Sequence, residues 1–191
     1  EHGLITYMRT DSTNLSALAI NTAKKFICEN YGEEYSKVRQ YKTKAKGAQE
    51  AHEAIRPTYI ENTTIEGTPQ EKKLYELIWK RTVASQMADA KMRRTDISVS
   101  SDKGEEKFSV QASQVLFDGF LKLYIEGTDE PQQDDEMVIL PEMNIGDRMI
   151  ENGITASCKF TSAPSRYTDA SLIKKLEELE IGRPSTYAPT I

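Results

Sequence analysis

The 191-residue chain has room for one or two hydrophobic cores, and at 38% hydrophobic and 29% charged its composition is that of an ordinary globular protein. No apolar run approaches the roughly 20 residues that cross a bilayer, so no membrane role is expected. The net charge of −5 argues against adhesion to nucleic acid by bulk charge, which leaves local basic clusters as the route to any such binding.

The chain opens on Glu1, His2, Gly3 and Leu4, with neither an initiator Met nor a basic n-region. A signal peptide is therefore not expected, and upstream sequence is expected to have been cut away. Two cysteines, Cys28 in a predicted helix and Cys158 in a predicted strand, fit neither a disulfide framework nor a zinc site. A reducing cytoplasm is the simplest assignment.

A first helix is predicted from Asn14 or Ser16 to Gly32, with Leu15, Leu18, Ala19, Ala23, Phe26 and Ile27 as its apolar stripe. Residues 37–47, KVRQYKTKAKG, hold five positive charges and no negative one, a stretch suited to steering a phosphate backbone without reading sequence. Gln49 to Ile55 is a short helical candidate that Pro57 stops, with His52 and Arg56 on one face. Thr68, Pro69 and Glu71 announce a long helix through an N-cap, a first-position proline and a capping box. Its predicted core stripe is Leu74, Leu77, Ile78, Arg81, Ala84 and Ala88, and Tyr75 and Trp79 are also read as core.

Beyond Arg94 the apolar period falls to two. Ile97 and Val99, then Phe108, Val110 and Ala112, flank an Asp102-Lys103-Gly104 turn and predict a hairpin. Further strands are expected at Val115 to Tyr124, Met137 to Leu140 and Ile154 to Phe160, with an acidic run between Glu126 and Glu136. A last helix is predicted from Thr168 or Asp169 to Gly182, with Pro184 beyond.

The segment from Gly3 to Ser12, GLITYMRTDS, places the phenol of Tyr7 two residues from the guanidinium of Arg9. A free phenol is a poor nucleophile at neutral pH until a cation stabilises the phenolate or a base takes its proton. Arg9 is such a cation, and its planar fork suits phosphate oxygens. The residues alone also allow a plainer reading, in which Tyr7 packs on a core edge and Thr10 to Asn14 cap the next helix. Thr-Tyr recurs at Tyr59 and Tyr187, which makes those two rival nucleophiles, although Tyr59 has no flanking cation set and Tyr187 is expected to pack or to touch a ligand.

The GLITYMRTDS segment resembles the active-site signature of the bacterial type IA DNA topoisomerases. AHEAIRPT at residues 51–58 resembles that family's histidine-bearing motif, and IGRPSTYA at 181–188 resembles its turn into a helix. The matches stand in the family's order, and Met8 places the chain nearer the topoisomerase I branch than topoisomerase III. The resemblance implies that Tyr7 forms a covalent link to the 5′ phosphate of a cleaved single strand, without ATP. It makes Arg9 the stabiliser of the scissile phosphate and His52 a phosphate or active-site hydrogen-bond partner. It implies DNA contacts from Thr10, Asp11, Ser12, Arg183, Ser185 and Thr186. For Arg56 the residues leave two roles open, a DNA contact or an ion pair with Glu53.

The fold implied is α+β: a helical, winged-helix-like tyrosine domain over residues 1–92, an antiparallel β arch segment over 93–161, and the start of a helical DNA-binding base segment over 162–191. These would be parts of a toroidal, multi-domain enzyme that relaxes negatively supercoiled DNA. Magnesium is implied for the full-length enzyme, held by an acidic Toprim domain that would precede Glu1, and no metal site is expected in this stretch. The implied partners are single-stranded DNA and the rest of the same polypeptide, with a monomer as the expected state. The nucleoid in the cytoplasm is the implied location. Without the resemblance, a non-catalytic DNA- or protein-binding module fits the same residues.

Overall fold

A computed structural model describes residues 3–8, 10, 12–41, 52–125, 143–161 and 163–191, with the side chain of Pro184 left aside. Arg9, Asp11, the start of the predicted helix at Gln49, the acidic run and the strand expected at Met137 to Leu140 lie outside the described residues. Helices and one antiparallel two-stranded sheet follow one another along the chain.

Helix α1 spans Ala17–Asn30, and its N-cap Ser16 accepts a hydrogen bond from the Ala19 N–H. It ends two residues before Gly32, whose φ of 109° no longer suits a helix. Ile20, Ala23 and Ile27 are its buried face, while Leu18, predicted as core, is 74% exposed. Helix α2, Pro69–Ser85, begins with the predicted capping box: the Thr68 hydroxyl accepts from the Glu71 N–H, and the Glu71 carboxylate accepts from the Thr68 N–H.

The stripe predicted for α2 is turned from the one observed. Tyr75, Trp79, Val83 and Ala84 are buried, whereas Leu74 and Leu77 face outward. The aromatic stripe wins because it removes more apolar area from water, on the order of 2 to 3 kcal/mol for a large side chain, and satisfies its polar atoms as it does so. The Trp79 indole N–H donates to the Ile60 carbonyl at 2.8 Å, and the Tyr75 hydroxyl donates to the Asn62 carbonyl at 2.7 Å. Burial pushes the Tyr75 phenol above its ordinary pKa. Phe26 of α1 meets Trp79 edge-on at 5.7 Å, and Ala23, Ile27, Ile60, Tyr75, Trp79, Val83 and Met87 close the core.

Strands β1, Lys91–Ser100, and β2, Lys107–Phe117, form the predicted hairpin, with Ile97 opposite Val110 and Val99 opposite Phe108. The register shifts between Lys91 and Met92, so Leu116 is the extra residue of a bulge. The chain then leaves the ladder for a 3-10 turn at Gly119–Lys122, so the strand expected at Val115 to Tyr124 is cut short. Phe120 and Leu123 of this turn pack on the core. Ile154 to Phe160, predicted as a strand, finds no ladder partner among the described residues, and a strand exists only through its ladder. Cys158 is accordingly outside any strand, and both cysteines are free thiols.

Helix α3, Asp169–Glu178, starts from Thr168 as predicted but stops before Gly182. The Ile181 N–H reaches the Leu176 carbonyl at 2.9 Å and the Glu180 N–H reaches the Glu177 carbonyl at 3.1 Å, closing a Schellman motif. The left-handed residue of that motif is Glu180, at φ 56°, where glycine is the usual choice. Helix α4, Pro184–Thr190, follows. No helix among the described residues is long and apolar enough to cross a membrane.

Candidate active site

Residues 52–58 form the spine of the site, and they do so as irregular chain with bends at Ile55 and Thr58, not as the short helix predicted through Ile55. Pro57 cannot donate and disfavours helical geometry at Arg56, so the spine's backbone groups bond outward to two other segments.

On one side runs the chain before Tyr7, antiparallel to the spine, with a bridge between Ile5 and Pro57. The Thr58 N–H donates to the Leu4 carbonyl at 3.0 Å, and the Thr6 N–H donates to the Arg56 carbonyl at 2.9 Å. The Thr6 hydroxyl also accepts from the Arg56 N–H at 2.9 Å and donates to the Ala54 carbonyl at 2.8 Å. Ile5 packs against the core, and the Trp79 bond to Ile60 ties down the spine's far end.

On the other side runs the chain after the tyrosine. The Ser12 hydroxyl donates to the His52 carbonyl at 2.6 Å, and the Ala54 N–H donates to the Asn14 carbonyl at 2.7 Å. Ala54 thus bonds through its carbonyl to one arm and through its N–H to the other. Tyr7, Met8 and Thr10 sit on the loop that joins the arms.

Tyr7 is 74% exposed, and its ring meets His52 edge-on, with centroids 5.9 Å apart and planes at 76°. The structure therefore brings together the tyrosine and histidine of two motifs 45 residues apart in sequence. Thr10 is exposed beside them. Ser12 is buried, and its hydroxyl also accepts from the Asn14 N–H at 3.2 Å, so it acts as a fastener of the loop.

The ion pair open to Arg56 is formed. Its Nε and Nη2 donate to the Glu53 carboxylate at 2.8 and 3.0 Å, and its Nη1 donates to the Pro57 carbonyl at 2.8 Å. Oε1 of Glu53 also accepts from the Ser16 N–H at 2.8 Å. Burial alone would raise the Glu53 pKa. The Arg56 guanidinium and the N–H and hydroxyl of Ser16 outweigh it and hold the carboxyl below its ordinary range.

Sequence reasoning missed Gln40, whose amide donates to the Asn14 side chain and, at 3.2 Å, to the Leu15 carbonyl. It also missed the fully buried Gln86, which accepts from the Arg39 N–H and donates to the Arg39 carbonyl, both at 3.0 Å. No local pattern announces either pairing. Arg183 and Thr186 bond to each other across the first turn of α4, the Arg183 N–H donating to the Thr186 hydroxyl at 2.8 Å. Among the described residues, no three His, Cys, Asp or Glu side chains are grouped to hold a metal ion.

The chain has counterparts among known proteins. A family model described as DNA topoisomerase matches residues 1–191, and the chain belongs to that family. It is 46% identical over 197 residues to DNA topoisomerase 1 of Zymomonas mobilis, covering all of this chain and 16% of that protein. With DNA topoisomerase 1 of Streptomyces coelicolor it shares 47% identity over 201 residues, again all of this chain and 21% of the relative. The structure of full-length topoisomerase I from Thermotoga maritima aligns with a TM-score of 0.68 at 36% identity, over 97% of this chain and 29% of that one. The chain thus spans less than a quarter of the length of these two curated relatives.

Proposed function

We propose that this chain supplies the nucleophile of a type IA DNA topoisomerase, an ATP-independent enzyme that relaxes negatively supercoiled DNA. The observation that carries the reading is the exposed Tyr7, seated against His52 on a loop fastened at both ends. A nucleophile must reach its target and yet be held, because misplacement by a fraction of a bond length is costly.

In this mechanism the Tyr7 phenolic oxygen forms a bond to phosphorus as the bond from phosphorus to the sugar 3′ oxygen breaks. The phenol gives up its proton and the departing 3′ oxygen takes one up. A 5′-phosphotyrosine and a free 3′ hydroxyl result. After another strand has passed, the 3′ hydroxyl attacks phosphorus and the tyrosine leaves. One phosphate ester replaces another at each step, so no external energy source is needed. Arg9 is assigned to the charge on the phosphate oxygens, and His52 to a hydrogen bond with the phosphate or the phenol. Thr10, Asp11 and Ser12, with Arg183, Ser185 and Thr186, are assigned to single-stranded DNA. For Ser12 such a contact would require its hydroxyl to leave the His52 carbonyl, whereas Arg56 keeps a second Nη2 hydrogen beyond the bonds it makes to Glu53, Pro57 and Thr58.

On the same reading, residues 1–92 are a winged-helix-like tyrosine domain, 93–161 belong to an arch whose exposed apolar hairpin face is covered by other strands of the polypeptide, and 162–191 begin the base of a toroid. By the family resemblance, magnesium belongs to a Toprim domain elsewhere in that polypeptide. No step above runs through it. A monomer acting on the nucleoid in the cytoplasm completes the proposal.

The test is a single-stranded oligonucleotide incubated with the full-length protein and denatured to trap any adduct. Wild type is expected to yield a covalent complex, and Tyr7→Phe none while still binding the oligonucleotide. An adduct that survives Tyr7→Phe, or its absence from the complete wild type, defeats the reading.

A further inference from the structure

We infer that Glu53 is a positioning residue for Tyr7, acting with Arg56 as a brace that fixes the distance between the two feet of the tyrosine loop. The inference rests on the assignment of Tyr7 as the nucleophile.

The argument starts from what the spine's backbone does. The carbonyl of residue 52 and the N–H of residue 54 hold the arm after Tyr7, while the N–H and carbonyl of residue 56 hold the arm before it. The Thr6 hydroxyl links the Ala54 carbonyl to the Arg56 N–H, and beyond that link the chain from 53 to 56, bent at Ile55, leaves the spacing of the attachment points to soft backbone dihedrals. The salt bridge from Glu53 to Arg56 spans that interval and closes it. In a helix, an ion pair at this spacing would be a routine neighbour contact, but this segment is not helical. Its forked geometry, with Nε and Nη2 on separate carboxylate oxygens, sets direction as well as distance.

A third bond extends the brace. The same carboxylate accepts from the N–H of Ser16, the residue that caps α1, and so pins the helix start to the spine. A carboxylate at a helix N-terminus also meets the positive end of the helix dipole. Ser12 and Asn14 lie between the loop and Ser16, so the rigid helix and the rigid spine fix the second foot from both directions. The pair is mostly buried, with side chains 15% and 26% exposed, so water does not compete strongly for it. The Glu53 carboxylate bonds to Arg56 and Ser16, and its effect on Tyr7 passes through the backbone those residues belong to.

The experiment uses the full-length enzyme and single-turnover cleavage of a labelled single-stranded oligonucleotide, with wild type, Tyr7→Phe, Glu53→Ala, Glu53→Gln and Arg56→Lys run together. The cleavage rate constant is expected to fall by about tenfold to a hundredfold in Glu53→Ala, the size of loss that slight misplacement of a nucleophile produces. Glu53→Gln should fall less, because its carbonyl still serves Ser16 and Nε while its amide faces Nη2. Arg56→Lys, with no fork, should fall as well. In the two Glu53 variants, oligonucleotide affinity and the final fraction of adduct should stay at wild-type values, since a displaced tyrosine slows cleavage and religation alike.

A lower final fraction formed at the wild-type rate would mean that part of the protein is misfolded, and would overturn the inference. So would a Glu53→Ala variant that cleaves as fast as wild type. Should Glu53→Ala fail to fold, the Glu53→Gln and Arg56→Lys rates decide. An adduct in Tyr7→Phe removes the nucleophile, and the role of Glu53 falls with it, a result distinct from the other two.

Discussion

Gly119 is the position where one methyl group should do the most damage. It stands at φ 50°, in the left-handed region, where the chain turns off β2 and presses back against the end of the helical body. A Cβ there would lie 2.5 Å from the Ala88 carbonyl oxygen, 2.7 Å from the Ala90 nitrogen and 2.7 Å from the Asp89 carbonyl carbon. All three are backbone atoms, and no side chain can swing aside to relieve them. The left-handed conformation costs a non-glycine residue about 1–2 kcal/mol. Forcing a methyl into a packed site adds about 1–3 kcal/mol, for a total of roughly 2–5 kcal/mol. The Phe120 N–H bond to the Ala88 carbonyl, at 2.9 Å, would be the first to lengthen. Hydrogen exchange in the full-length protein reads this locally, in peptides covering residues 85–90 and 117–124. At about 1.4 kcal/mol per factor of ten, Gly119→Ala should lower protection there by at least about thirtyfold. Gly153→Ala, where a Cβ would meet nothing within 4 Å, should leave the same peptides unchanged. Equal protection in Gly119→Ala and wild type would refute the packing argument.

Gln86→Leu keeps the buried volume but strands the Arg39 N–H and carbonyl, and at about 1–3 kcal/mol for each unpaired group it should lower local protection at residues 37–41. Glu180→Gly removes the left-handed strain at the end of α3 and should raise amide protection within Asp169–Glu178 by up to about 1 kcal/mol, whereas Glu180→Val should lower it. The Glu53 carboxyl is held below its ordinary value of 4.5, so the bonds it accepts stabilise the fold fully above that pH and are lost as pH falls through the lower folded value. Acid unfolding followed by fluorescence should show wild type losing stability across that window, with the Glu53→Gln curve flatter there.

Local chemistry was legible in the sequence wherever a short pattern has a single physical meaning. The Thr68 capping box, the Ser16 cap and the pairing of Ile97 and Val99 with Val110 and Phe108 are of this kind. Helix α2 marks where such legibility ends. It carries two stripes at helical spacing, and only the positions of Ile60 and Asn62, whose carbonyls receive Trp79 and Tyr75, decide which one turns inward. The strand expected at Ile154 to Phe160 failed for a related reason: alternation describes a half-buried strand but supplies no partner. In the site, Tyr7 and His52 were marked as a pair by their motifs, and the structure sets their rings together. The frame around them was not marked. Gln40 and Gln86 act across 26 and 47 residues of sequence, and a glutamine's amide meets any backbone, so no spacing rule singles it out.

The basic stretch shows how structure changes the meaning of a charge run. Of its five cations, Lys37 and Arg39 both pair with Asp89, and the Asp89 carboxyl is held below its ordinary pKa, chiefly by the bond from Lys37. Lys42, Lys44 and Lys46 lie outside the described residues. The charges that remain for steering a phosphate backbone are therefore fewer than the sequence displays. The two that pair do something else, fastening residues 35–41 along the end of α2. The Ala88 N–H reaches the Tyr35 carbonyl, the Lys37 N–H reaches the Gln86 carbonyl, and the Arg39 guanidinium reaches the Met87 carbonyl. One residue further on, Gln40 grips Asn14, the foot of the tyrosine loop. A single segment thus bonds at one end to the residues where the hairpin is rooted and at the other to the foot of the loop that carries Tyr7.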